Sequence, residues 1–139
     1  MTDPPPIHHR VTVRRTRHHR ISFRVRRIYF DAIVTGEKST EVRRASPYWL
    51  AAVTRVAEWK EHPTGTVGDD YPSYPVIFTG RTPVAVFLCG YKVHRREILG
   101  VDWKPSAEAA LGRPPSEQGR EDLGDGPVLV FKLGKEVER

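Results

Sequence analysis

Apolar and polar side chains alternate along the first part of the chain. Val11, Val13, Ile21, Phe23 and Val25 share one parity, with arginine or another polar residue between them. A period of two marks a strand with one buried face, and it is firmest over residues 21–26. From Arg27 the spacing turns helical, with Ile28, Ala32 and Ile33 apolar and Gly36 placed where a helix needs a left-handed C-terminal residue. The pattern predicts a helix over residues 27–35 and, after a tight turn, a short strand over 39–43. Ser46-Pro47 then supplies a capping hydroxyl followed by proline in the first helical turn. Trp49, Leu50, Val53, Val56 and Ala57 fall on one stripe, which predicts a helix over residues 47–61. Val53, Arg55 and Ala57 also fit a strand alternation.

Residues 62–75 read as a loop by composition. Strands are predicted at 76–78 and 83–88, joined as a hairpin through Thr79-Gly80-Arg81-Thr82, and a further strand at 92–99. The Gly/Pro-punctuated stretch 103–126 has room for a short helix at 106–111, and VLVFKL at 128–133 closes the chain as a buried strand. Strands and helices do not alternate strictly, which argues against a doubly wound parallel sheet. The expected class is α+β, a small mixed β-barrel of five to six strands with two or three helices.

A length of 139 residues suits one domain with its own core. The single cysteine, Cys89, excludes an internal disulfide and cannot build a metal site; it reads as a small buried hydrophobe. Two His-His pairs lie among the first twenty residues, in what reads as a tail, so neither metal nor cofactor is expected. No apolar run reaches the roughly 18 residues of a membrane span, and the first residues are not those of a secretion signal. The expected setting is cytoplasmic.

Charge is unevenly placed. The formal net charge is +6, and residues 1–30 hold eight arginines against one aspartate, leaving 15 Lys/Arg against 16 Asp/Glu in the remainder. Residues 1–19 therefore read as a flexible basic arm on a near-neutral domain spanning 20–139, with Arg14, Arg15, Arg17 and Arg20 placed to meet a phosphate backbone. The plainer reading is a solvated arm that aids solubility.

The densest chemical signal is Tyr29 to Arg43. Lys38 emerges from the Gly36 turn just before a strand on which Glu41 and Arg43 share parity, while Thr40 and Val42 face the other side. Opposite charges two apart on one face can hold each other rigid and leave donors to spare for a phosphate or the edge of a base. Alone, a Lys-x-x-Glu-x-Arg string is a common solvated strand face.

In its setting, Gly36-Glu37-Lys38-Ser39-Thr40-Glu41-Val42-Arg43, after an apolar-rich helix that opens with Tyr29-Phe30, resembles the Gly-x-Lys and Glu-x-Arg signature of ASCH domains, a branch of the PUA-like superfamily. The likeness is specific over residues 20–44 and topological beyond them. It implies a PUA-like barrel whose cleft takes nucleic acid or a nucleoside, RNA favoured, with Lys38, Ser39, Glu41, Arg43, Tyr29 and Arg81 as binding residues. Some relatives of that family are hydrolases, of RNA or of N4-acylated cytidines, which would make Lys38 and Glu41 catalytic. The threonine that the cytidine hydrolases place three residues after the lysine is here Glu41, and Thr40 falls on the opposite face.

Three readings stay open: a nucleic-acid or nucleoside-binding module, a hydrolase using Lys38, and an interaction module for an acidic protein. Trp49 and Trp59 read as core anchors, Trp103 as a loop residue able to stack on a base, and His94-Arg95-Arg96 as a solvated basic cluster.

Overall fold

A computed structural model describes residues 19–59, 76–78 and 81–138, with side chains described outside 57–59 and 76–78. The fold is α+β, with a five-stranded mixed sheet curled into a half-barrel and four helices among the described residues. Strand β1 (Arg20–Arg24) leads through α1 (Arg27–Thr35) to β2 (Thr40–Arg44), and α2 (Pro47–Thr54) to the short β3 (Ala57–Trp59). Then come β4 (Val76–Phe78), β5 (Val84–Cys89), the long β6 (Lys92–Lys104), α3 (Ala107–Leu111), α4 (Glu117–Leu123) and β7 (Val128–Glu136). The main sheet runs β1-β5-β6-β7-β2, and β1 and β5 are parallel while its other pairs are antiparallel.

Alternation in β1 buries Ile21 and Phe23, and the parallel register sets Phe23 beside Phe87 of β5, the rings stacked 5.2 Å apart. Phe131 of β7 meets Phe23 edge-on at 5.0 Å and Trp49 of α2 stacks on it at 5.1 Å, so three aromatic rings gather around Phe23. Each such pair adds roughly 0.5–1.5 kcal/mol beyond the area it buries. Strand β7 is buried on both faces over 128–131. Leu129, Phe131 and Leu133 enter the main core, whereas Val128 and Val130 lie under α3 and α4 with Ala107, Ala110, Val42 and Leu123. The β6/β7 register shifts between Arg96 and Ile98 and again before Gly100, and such irregularities bend a strand and curl its sheet.

Several expectations are corrected. The predicted hairpin of residues 76–78 with 83–88 does not form: β4 pairs with β3, and both edges of β5 are taken by β1 and β6. Helix α2 stops at Thr54 and not near residue 61, because Ala57–Trp59 pairs with Val76–Phe78 and the competing strand alternation wins there. The last strands run on to Lys104 and Glu136. Helix α4 was not predicted, since Leu123 is its only large apolar residue. Its Ser116 cap and terminal Gly124 were the legible signals. The loop 62–75, and the arm before His19 with Arg14, Arg15 and Arg17, lie outside the described residues. No helix of the described residues is long and apolar enough to cross a membrane.

The 94–96 cluster is not solvated. His94 is 8 % exposed and meets Phe30 edge-on at 6.4 Å; its Nε2 has no hydrogen-bond partner among the described residues. Arg96 is half-buried, and its guanidinium donates to the carbonyls of Gly134 and, at 2.9 Å, of Ile33, tying the end of α1 to the sheet. Burial holds the His94 imidazole below the usual histidine value; the Glu136 carboxylate opposes this, and the Arg96 charge reinforces it. As pH falls through about 6.5 the unfolded chain takes the proton before the folded one does, so this contribution to stability is complete above that pH and is lost below it. Urea midpoints at pH 7.5 and 5.5 should therefore fall toward acid, and the fall should shrink in His94→Leu; an unchanged fall would show that His94 is not its source.

Candidate nucleic-acid interface

Helix α1 ends on Gly36, whose φ of 86° is left-handed and whose N–H reaches Ile33 C=O. The Lys38 N–H then bonds back to Ala32 C=O at 2.9 Å, so the turn fixes where the Lys38 side chain leaves the backbone. Glycine is required here because a side chain at that φ costs about 1–2 kcal/mol.

Strand β2 takes the expected parity. Glu41 lies opposite Phe131 and Arg43 opposite Leu129, both toward the core face, while Val42 packs on the other face with Val130. Lys38 Nζ sits 3.0 Å from Glu41 Oε1 and 2.6 Å from Thr40 O; Arg43 Nε and Nη2 each sit 3.0 Å from Glu41 Oε2. The Glu41 side chain is only 8 % exposed, with Lys38 and Arg43 at 26 % and 22 %. Both carboxylate oxygens are thus engaged, and Glu41 orients the two cations. Lys38 keeps one ammonium hydrogen and Arg43 its Nη1 donors.

Arg43 also spans the sheet's open seam. Strands β1 and β2 are its two edges, and Arg43 Nη2 donates to Arg24 C=O at the end of β1, 3.0 Å away. Its guanidinium carbon lies 5.3 Å from the Phe23 ring centroid and 5.0 Å from that of Trp49, so the aromatic core supports the clasp.

These residues form one wall of an open cleft of about 1010 Å³. The opposite wall is the α3–α4 segment, including Arg113, Ser116 and Asp122; Tyr29 also lines the cleft, with Lys38 Nζ 5.9 Å from its ring centroid. Pairs flanking β2 (Ser39 with Leu133, Ala45 with Pro127) are the hydrogen-bonded ones, so the ladder turns the Glu41 and Arg43 backbone toward β7 and the Val42 N–H and C=O toward the free edge in the cleft. Arg26 donates to Asp122 at 2.9 Å, and this bond holds the Asp122 carboxyl below its ordinary value, with burial opposing and Gln118 assisting. Among the described residues no group of three or more His, Cys, Asp or Glu could hold a metal ion.

The structure brings Lys38, Glu41, Arg43 and Tyr29 together and leaves other expected site residues out. Ser39 is exposed beside the cleft and not in its lining, its C=O bonded to Leu133 N–H. Arg20 and Arg81 are exposed at the other pole of the sheet. The parallel register pairs Arg20 with Val84 and Arg24 with Leu88, so the starts of both strands lie together, roughly 13 Å along β1 from Arg24 at the cleft. Trp103 is no free stacking platform, since it packs against the core. Trp49 packs there too, as expected, and also lines the cleft. Sequence reasoning missed Arg24, Arg26, Arg44, Arg113 and Asp122. The first two were absorbed into the basic run, and nothing local in the sequence joins residues 113–122 to β2.

Replacing Glu41 by alanine removes the anion that neutralises two cations and opens the clasp. A loss of about 3 kcal/mol is expected in urea unfolding, near the lower end for a broken buried pair because both cations keep some solvent. A loss under about 0.5 kcal/mol, typical of an exposed pair, would mean that the triad is not structural.

Comparison with protein-family models, with curated proteins and with solved structures finds no match to this chain.

Proposed function

We propose that this chain is an ASCH-type binding domain that takes an unpaired base of a nucleic acid, RNA favoured, or a nucleoside into the cleft beside Lys38, Glu41 and Arg43. The observation that carries the reading is the convergence of the three charges on one cleft wall, with both carboxylate oxygens engaged and the spare donors of both cations left over. The cleft volume is at the upper end of the usual small-ligand range, enough for a nucleotide. Tyr29, 37 % exposed in the cleft lining, offers ring surface to a base, and the Val42 backbone offers a donor and an acceptor to its edge. The basic arm adds sequence-independent attraction to phosphate.

Binding ranks above hydrolysis on a specific ground. Among the described residues no hydroxyl and no second carboxylate lies within hydrogen-bonding distance of Lys38 Nζ, and Glu41 has no free oxygen to serve as a base. The cleft serines Ser46 and Ser116 already accept from the N–H groups of Trp49 and Gly119. An acidic protein partner would have little use for a concave site with an aromatic ring in its lining.

Lys38→Ala should weaken binding of a short single-stranded oligoribonucleotide by about tenfold or more while the circular dichroism stays native. Undiminished affinity would remove the cleft from the function. The same protein incubated with RNA and with N4-acetylcytidine should release no product, and turnover lost in Lys38→Ala would establish the hydrolase instead. Deleting residues 1–18 should flatten the dependence of RNA affinity on salt, whereas a full salt slope without the arm would place the phosphate contacts elsewhere.

A further inference from the structure

The cleft carries more positive charge than its visible pairs use. Its lining holds six cations, Arg24, Arg26, Lys38, Arg43, Arg44 and Arg113, against two anions, Glu41 and Asp122. Both anions are answered: Glu41 by Lys38 and Arg43, Asp122 by Arg26. Arg24, Arg44 and Arg113 are all exposed, and no carboxylate of the described residues lies within ion-pair distance of any of them.

The three come from different elements. Arg24 ends β1, and its backbone is held by the Arg43 clasp. Arg44 ends β2, with Nε donating to Asp122 C=O at 3.1 Å and the guanidinium lying against Gly124, so its Nη groups are the ones left free. Arg113 follows the left-handed Gly112 that ends α3 and precedes Pro114-Pro115, which stiffen its backbone. Uncompensated like charges around one concavity repel each other and lower stability, an arrangement that suits an anionic occupant. Arginine forks match phosphate oxygens in pairs, and they do so best when the guanidinium is already oriented.

We infer that Arg24, Arg44 and Arg113 form a phosphate subsite, so that the occupant of the cleft is a phosphorylated nucleotide or a phosphodiester strand and not a bare nucleoside. The inference rests on the base-binding reading above and narrows it. It also assigns phosphate recognition inside the cleft to the folded domain and not to the arm, whose attachment through Arg20 lies at the other pole of the sheet.

Titration calorimetry on the full chain tests this with four probe classes: the four ribonucleosides, their 5′-monophosphates, a short single-stranded oligoribonucleotide, and pyrophosphate. The tightest monophosphate should bind about tenfold or more tightly than its own nucleoside, and the ratio should fall to about twofold in Arg24→Gln/Arg113→Gln. Arg44→Gln should lower the ratio on its own. Retained helix and sheet signal in circular dichroism shows that each variant is folded.

Measurable nucleoside binding with an equal monophosphate affinity would overturn the phosphate subsite and leave the base cleft standing. Pyrophosphate binding that vanishes in the double variant, without binding of any nucleoside, nucleotide or oligonucleotide, would uphold the subsite and overturn the base reading. Absence of all binding would overturn both. Tighter oligonucleotide than monophosphate binding, with an advantage that is lost in the double variant and a salt slope that the same variant lowers by about 0.7 for each phosphate contact removed, identifies a strand as the source of the phosphate; equal affinities identify a free nucleotide.

Discussion

A carboxylate on the inward face of an edge strand is the constraint around which this structure is arranged. Glu41 is buried opposite Phe131, where a carboxylate needs polar partners, and Lys38 and Arg43 supply them to both oxygens. Breaking such a pair is costlier than its net contribution would suggest, because the remaining partners stay desolvated and unpaired. Arg43 then does a second job that no backbone ladder does: it joins β2 to the end of β1 across the open seam of the sheet. The half-barrel is closed at this pole by a side chain, and the cleft opens beside that closure.

Orientation of the site follows from the same bonds. Lys38 is delivered by a helix that must stop at Gly36, and Arg96 from β6 pins the carbonyl of Ile33 just before that stop. The guanidinium of Arg43 rests against two stacked rings that belong to the core. A ligand at this wall would meet donors already held in place, which lowers the ordering cost of binding. The opposite wall is built differently. The segment carrying α3 and α4 is attached through Ala107, Ala110 and Leu123 to the outer face of β7 and β2, and through the Arg26–Asp122 and Arg44–Asp122 contacts. Its small apolar footprint makes it the less firmly held half of the cleft.

The parallel pairing of β1 with β5 separates two sets of arginines that the charge distribution alone would merge. It gathers Arg24 with the clasp at one pole and sends Arg20 to the other together with Arg81. Arg20 and Arg24, only four positions apart, thereby face different surroundings. Arg24 and Arg113, nearly ninety positions apart, line one cavity.

Local facts were legible in the residues alone: the α+β class, the strand parity that turns Glu41 and Arg43 inward together, the glycine that ends α1, and the serine cap of α2. Each depends on backbone periodicity or on a single residue's conformational preference, and those are expressed over four to ten residues. Long-range packing settled that residues 76–78 pair with 57–59 and not with their neighbours in the chain, that His94 is buried, and that Arg81 lies at the opposite pole of the sheet from the cleft. It alone brought Arg113 and Asp122 opposite β2. These outcomes depend on which strand edges remain free once the sheet is assembled and on which apolar faces still need covering. That competition is settled between segments far apart in the chain, and no local pattern records it.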